Sequence, residues 1–366
     1  MERQRLFLPG PVAVAQPVLD ALSRPLVNHR GPEFAQMLKR ITDALRPVYG
    51  TTGEVVLLGS SGTGGLEAAL VNLFSPGELL LSCALGAFGR RFAAIAKSYG
   101  CVVEQLDPPL GAAVDPRALQ ARLERDTERR IAGVLLTQNE TSTGVQSEMA
   151  ALAPALRAHG AIVLVDAISG LGAAEYRMDE WGHDAVVTAS QKAFGAVPGV
   201  AMVALSDRAW KRAEQAKTPR FYFDFKRARD AAAAGQTPWT PPISVLYALD
   251  VALTRYHEEG LTAAYARHAR HAQIVRDGLL ELGFTLVSQP GAHSCTVVAA
   301  YPPQGIEPAA LLDRLREQHG IVLADGQGEL AGKIVRFGTM GAIDESDIRS
   351  ALDAIGEEVR VTSGAA

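Results

Sequence analysis

The 366-residue sequence predicts an α/β fold: a mostly parallel central sheet covered by helices, followed by a smaller α+β domain. Three observations predict it. Short apolar runs with little polar alternation recur up to residue 205, the signature of strands buried on both faces. Amphipathic segments stand between them, with apolar residues at steps of three and four. A proline-rich stretch, "GQTPWTPP" at 235–242, then breaks the alternation, and longer helices with fewer strands come after it.

The elements run in order along the chain. "PEFAQMLKRITDALRPVYG" puts Phe34, Leu38, Ile41, Leu45 and Val48 on one helix face, with Pro32 at its start. "EVVLLG" reads as a strand, "GLEAALVNLF" as a helix, "GELLLS" as a strand and "GRRFAAIAKSYG" as a helix. "DPRALQARLER" opens with an N-cap aspartate and a proline in the first turn. "IAGVLLT", "AIVLVDA", "DAVVTAS" and "VAMVAL" are buried strands, and "RDAAAAG" suits a short helix or a loop. Beyond the proline stretch, "ISVLYALDVALTRYHEEG" and "LTAAYARHARHAQIVRDGLLELG" are helical. Strands "CTVVAA" and "KIVRFGT" alternate there with helices "EPAALLDRLREQHG" and "DESDIRSALDAIGEEV". The expected division is an N-terminal arm at 1–20, a large domain at 21–257 and a small domain at 258–366.

Composition narrows the function. The chain is 48% hydrophobic with a net charge of −4, and no run of lysine and arginine suggests nucleic acid or a membrane surface. The start, "MERQRLFLPGPV", lacks the apolar core of a signal peptide, and no apolar run approaches the ~18 residues of a membrane span. Cys83, Cys101 and Cys295 show neither metal nor disulfide spacing. A soluble, cytoplasmic protein without a metal site is expected.

"GSSGTGGLEAAL" follows a strand and opens a helix, where small residues let free N–H groups and the helix dipole hold a phosphate. A tight turn that binds nothing fits this stretch equally. Its glycine order is not G-x-G-x-x-G, the next strand ends without an acid for a ribose, and no Gly-Lys-Ser/Thr is present. A dinucleotide and a P-loop are therefore disfavoured. Asp166 in "AIVLVDAISGLG" and Lys192 in "DAVVTASQK" each close an apparent strand, the edge where ligands of α/β sheets bind. Alone, the aspartate suits a cap or salt bridge and the lysine a solvated strand end. Together with the anion cup they match one cofactor, pyridoxal phosphate. It needs a lysine for its Schiff base, an acid beside its ring nitrogen, and a phosphate site. Desolvation and the nearby pyridinium would lower the lysine's pKa and let its amine act as a base.

These residues carry a resemblance. The chain is similar to the class V aminotransferases of fold type I, of the alanine–glyoxylate and serine–glyoxylate aminotransferase group. "LPGPV", "SSGTGGLEAAL", "GAFGRR", "NETSTGV", "VDAISGLG", "SQKAF", "TPPISVLYAL" and "VRFGTMG" occur in the family's order over nearly the whole chain. The resemblance implies that Lys192 binds the cofactor covalently and Asp166 pairs with its ring nitrogen. Phe88 and Ile168 would pack on the two ring faces. Ser61, Gly62, Thr63 and Gln191 would hold the phosphate, and Thr141 the phenolic oxygen or nearby atoms. Thr240 would reach the neighbouring subunit's phosphate, making the unit a homodimer. Arg336 would hold the substrate carboxylate, and Arg30, with Asn28 and His29, would line the entrance.

Plainer readings stand beside these. Phe88 falls on the series Phe88, Phe92, Ile95, Tyr99 and so suits a helix core; Thr240 suits a helix N-cap; Arg336 suits a solvated strand face. Thr63 and Phe88 stand where alanine–glyoxylate members can carry histidine and tryptophan. The function the resemblance implies is ping-pong transfer of an amino group from a small amino acid, alanine or serine, to glyoxylate or pyruvate. Rivals are a 2-aminoethylphosphonate transaminase, a cysteine desulfurase using Cys295, and an inactive scaffold.

Overall fold

The computed structural model describes residues 4–364. Seven strands form its central sheet: β1 (Glu54–Leu58), β2 (Leu79–Cys83), β3 (Val102–Gln105), β4 (Ile131–Thr137), β5 (Ile162–Asp166), β6 (Ala185–Ala189) and β7 (Ala201–Leu205). Their order is β1-β7-β6-β5-β4-β2-β3. Neighbours pair in parallel except β7, which is antiparallel to both β1 and β6. The expected α/β architecture is found, with "VAMVAL" as its one reversed strand. An apolar run reports burial on two faces but not strand direction.

Both faces are covered. On β5, Val163 and Val165 join the apolar cluster built by helices α1 (Pro32–Tyr49), α5 (Met149–His159) and α6 (Ile243–Glu259). Ile162 and Leu164 of the same strand join the opposite cluster, with α2 (Gly62–Leu73) and α3 (Ala87–Ser98). This alternation is the strand period of two, used on both sides. Helix α4 (Pro116–Glu124) starts as expected, the Asp115 carboxylate accepting from the Arg117 N–H. "RDAAAAG" belongs to a helix, Phe225–Ala233. Helix α5 escapes the sequence reading because Pro154 lies inside it and interrupts the helical pattern. The short helices Gln16–Ala21, Met178–Trp181 and Asp207–Ala213 escape it too.

The C-terminal region forms a second layer. Strands β8 (Thr285–Leu286), β9 (Val297–Tyr301), β10 (Ala324–Asp325) and β11 (Val335–Gly338) make an antiparallel sheet in the order β8-β9-β11-β10. Helices α7 (Leu261–Glu281), α8 (Pro308–His319) and α9 (Glu345–Gly364) cover it through Val275, Leu279, Leu311, Leu315, Ile348 and Ile355. The chain start packs here. Arg5–Leu6 pairs in parallel with Ile321–Val322, and fully buried Phe7 lies 5.0 Å from the Phe337 ring. Among the described residues no helix is long and apolar enough to cross a membrane.

Candidate active site

Asp166 is the last residue of β5, and Lys192 lies just beyond the adjacent strand β6, in a turn closed by Gly195 N–H to the Lys192 carbonyl and Ala196 N–H to the Ser190 carbonyl. Both side chains are buried, at 4% and 9% exposure. Burial pushes the Asp166 carboxyl up to about 7. The Ile168 N–H opposes that shift, the Glu140 charge adds to it, and Lys192 and Arg91 pull against it. Burial holds the Lys192 amine down to about 8 despite the attraction of Asp166, and the Arg336 charge pushes the same way. Each charge thus acts on the other within the protein interior, the acid at the end of β5 and the amine just beyond β6. Lys192 Nζ donates to the Pro9 carbonyl at 2.6 Å. That approach requires glycine next door: a Cβ on Gly10 would run into the lysine's terminal atoms.

Arg336 is 5% exposed, which removes the solvated-face reading. The same strand that carries it is tied to the chain start, since Gly338 N–H donates to the Phe7 carbonyl. Its Nε donates to the Asp325 carbonyl at 2.6 Å, and its Nη1 to the Thr141 carbonyl at 3.2 Å and to Gln327 Oε1 at 3.4 Å. All three acceptors are uncharged. Desolvation lowers its pKa, as expected for a buried guanidinium with no carboxylate bonded to it among the described residues. Thr141 Oγ1 donates to Ser169 Oγ at 2.9 Å.

At the start of α2, Ser61 occupies the N-cap position but makes no side-chain capping bond, so the first-turn N–H groups keep their capacity for an anion. Gly62 packs directly under the Ile168 side chain, and Thr63 is half-buried in the same turn. Gln191 carries a buried Oε1 without a partner among the described residues, an amide with one end open beside Lys192. Phe88 is half-buried and belongs to neither apolar cluster of the sheet, contrary to the core reading; the Arg91 guanidinium lies 4.8 Å from its ring centre. Thr240 is exposed and is not the N-cap of α6, a place Pro242 takes. Arg30 is exposed too, its Nη1 donating to Gln236 Oε1 at 2.5 Å, so it meets the 235–242 segment that carries Thr240.

Sequence reasoning missed Glu140. It is fully buried and accepts from the Phe88, Gly89 and Ser142 N–H groups and from the Ser142 hydroxyl. It anchors the α3 turn that presents Phe88. The signal was present: an acid in "NETS", directly after a buried strand, needs donors. Pro9 and Gly10 were legible only as a motif.

A buried amine depressed toward neutrality, an acid on the adjacent strand, a bare helix start and an arginine without a bonded carboxylate match the donor set that pyridoxal phosphate and an amino acid require. The comparisons agree. The family model described as "Aminotransferase class-V" matches residues 20–348. A "Soluble hydrogenase, small subunit" of Synechococcus sp. is 35% identical, over 97% of this chain and 92% of that protein. An "L-aspartate--glyoxylate aminotransferase" of Paracoccus denitrificans is also 35% identical, over 93% and 87%. The solved alanine–glyoxylate aminotransferase of Nostoc sp. superposes with a TM-score of 0.93 at 29% identity, covering 98% of this chain and 96% of that one. Matches of that extent, on a fold of this topology, make the protein an enzyme of the class V, fold type I aminotransferase family.

Proposed function

We propose that the protein moves an amino group from a small amino acid, alanine or serine, to a 2-oxo acid such as glyoxylate or pyruvate, with pyridoxal phosphate bound at Lys192. The observation that carries this is the shared burial of Lys192 and Asp166. It also favours transamination over the activity named for the cyanobacterial relative. Glyoxylate is the acceptor in two of the relatives' names, whose donors differ, aspartate in one and alanine in the other.

Asp166 would pair with the ring nitrogen. Ser61, Gly62, Thr63 and Gln191 would hold the phosphate, Phe88 and Ile168 the ring faces, and Thr141 the phenolic edge. When bound, the cofactor supplies a carbonyl for the substrate amine and an electron sink that acidifies the Cα–H. Arg336 would bind the substrate carboxylate and fix which Cα bond stands across the ring. The Lys192 amine, already depressed to about 8, would be the base that takes and holds the substrate's Cα proton. The same residues would serve the oxo acid, Arg336 binding its carboxylate and Lys192 handling its Cα proton. A homodimer would bring Thr240 and Arg30 to a neighbour's site, and the setting would be the cytoplasm. Phe221 and Tyr222, 65% and 48% exposed, stack on Trp239 beside Thr240, an apolar patch that a second copy would cover.

Cys295 does not favour a desulfurase. Its thiol is pushed up to about 12 by burial and has Gln146 Oε1 and the Ala173 carbonyl as alternative acceptors for its one proton, the opposite of an activated nucleophile. The test is spectroscopic. Purified protein loaded with pyridoxal phosphate is expected to absorb in the visible and to lose that band on adding alanine or serine. Lys192→Ala is expected to abolish turnover; a variant working at the parental rate would overturn the assignment. A screen of amino acids by loss of the band names the donor.

A further inference from the structure

Arg336 is the carboxylate site only if the transamination reading holds, and the role inferred for its neighbour Gln327 rests on that reading. A carboxylate held end-on needs two parallel N–H groups of the guanidinium. Nε is committed to the Asp325 carbonyl and one Nη1 hydrogen to the Thr141 carbonyl at 3.2 Å, which leaves the outer edge of the Nη1 and Nη2 end. At that end sits one side chain from outside the strand, Gln327, whose Oε1 lies 3.4 Å from Nη1. The contact is long, so the amide is a weak occupant.

Gln327 is delivered there by a loop that is itself fixed. The Asp325 carboxylate accepts from the Gly326 and Gly332 N–H groups, closing residues 325–332 into a ring. Gly326 has no room for a Cβ, which would strike the Leu330 carbonyl. Arg90, in the first turn of α3, holds Glu329 of the same loop at 2.8 Å. The loop therefore bridges the strand that carries Arg336 and the helix that carries Phe88, with Gln327 half-buried between them. Its amide nitrogen has no hydrogen-bond partner among the described residues.

We propose that Gln327 is a specificity-determining residue of the carboxylate site. The Asp325 and Thr141 carbonyls hold the guanidinium, and the neutral amide oxygen of Gln327 at 3.4 Å leaves its charge unpaired and yields to the carboxylate of an amino or oxo acid. Neutrality is the essential property. An amide at this distance offsets little of the charge on a buried guanidinium, so an incoming carboxylate displaces it; a carboxylate fixed in its place would hold the fork as an ion pair.

The experiment compares Gln327→Glu, Gln327→Met and Arg336→Met, all loaded with pyridoxal phosphate. Binding of propionate, a non-reacting monocarboxylate, is followed by the change in cofactor absorbance, with thermal unfolding to confirm folding. Gln327→Glu is expected to weaken propionate at least tenfold and to raise KM for amino and oxo acid alike, with kcat within about threefold. Gln327→Met, which removes the amide without adding charge, is expected to weaken propionate by about threefold, clearly less than Gln327→Glu does. Propionate binding unchanged in Gln327→Glu but lost in Arg336→Met would overturn the proposal and leave the clamp standing. A loss in Gln327→Met as large as in Gln327→Glu would also overturn it, because absence of the amide and not presence of a charge would then decide. Parental binding in Arg336→Met would remove the carboxylate clamp itself.

Discussion

At the scale of single residues, the central fact is an amine held where water cannot stabilise its charge. The Lys192 amine falls from 10.5 to about 8 because desolvation outweighs the attraction of Asp166. The consequence for stability has a definite sign. Below about 8 the amine is charged in both folded and unfolded chains, and the folded state carries the whole cost of burying it. Between about 8 and 10.5 only the unfolded chain holds the proton, so stability rises with pH; above that window the cost is gone. With the cofactor stripped, Lys192→Met is therefore expected to be more stable than the parent at pH 7, by about 1–3 kcal/mol. The gap should close as pH passes 10.5. Denaturant unfolding at the two pH values measures it, and a gap independent of pH would refute the assigned burial cost.

Elements decide how such residues are presented. The N-termini of α3 and α4 are both capped by acids, but in different surroundings. Asp115 is an exposed cap found from its neighbours in sequence, and Glu140 reaches α3 from a separate strand and is fully buried. Asp115→Ala is expected to cost about 1 kcal/mol and to leave cofactor affinity unchanged. Glu140→Ala strips buried N–H groups of their acceptor and is expected to cost about 2–4 kcal/mol. It should also weaken cofactor binding, since the turn bearing Phe88 loses its anchor. Equilibrium unfolding and a cofactor titration on both variants check the pair; equal losses in the two would show that the buried acid is not special.

The whole molecule adds contacts that no element holds by itself. The first residues leave the strand pair at 321–322, pass β11 and place the Pro9 carbonyl on Lys192, so the chain start links the strand bearing Arg336 to the lysine. Completion by a second copy is the remaining step of the proposed function. Light scattering is expected to return twice the 38.8 kDa of one chain. Replacing Phe221 and Trp239 together by serine is expected to halve that mass and to lower cofactor retention, because Thr240 then reaches no neighbour. A parent protein that is monomeric at micromolar concentration would end the dimer reading.

Much of this was legible in the chain. Helix α1 is given by the spacing of Phe34 to Val48, the buried strands by their unbroken apolar runs, and Asp166 and Lys192 by their places at strand ends. Local sequence reports those features because periodicity and strand ends are properties of neighbouring residues. It did not report the reversed direction of β7, the helix containing Pro154, or the cap that Glu140 supplies to α3. Nor did it show Gln327 beside Arg336 or Pro9 beside Lys192. Each of those depends on segments distant in the chain meeting in space, and a residue's own neighbours carry no record of that meeting. The sequence by itself determined the α/β class, the family and the places of Asp166 and Lys192 at the ends of two buried strands. Only the tertiary structure decided which groups face that pair, because desolvation and charge act through space and not along the chain.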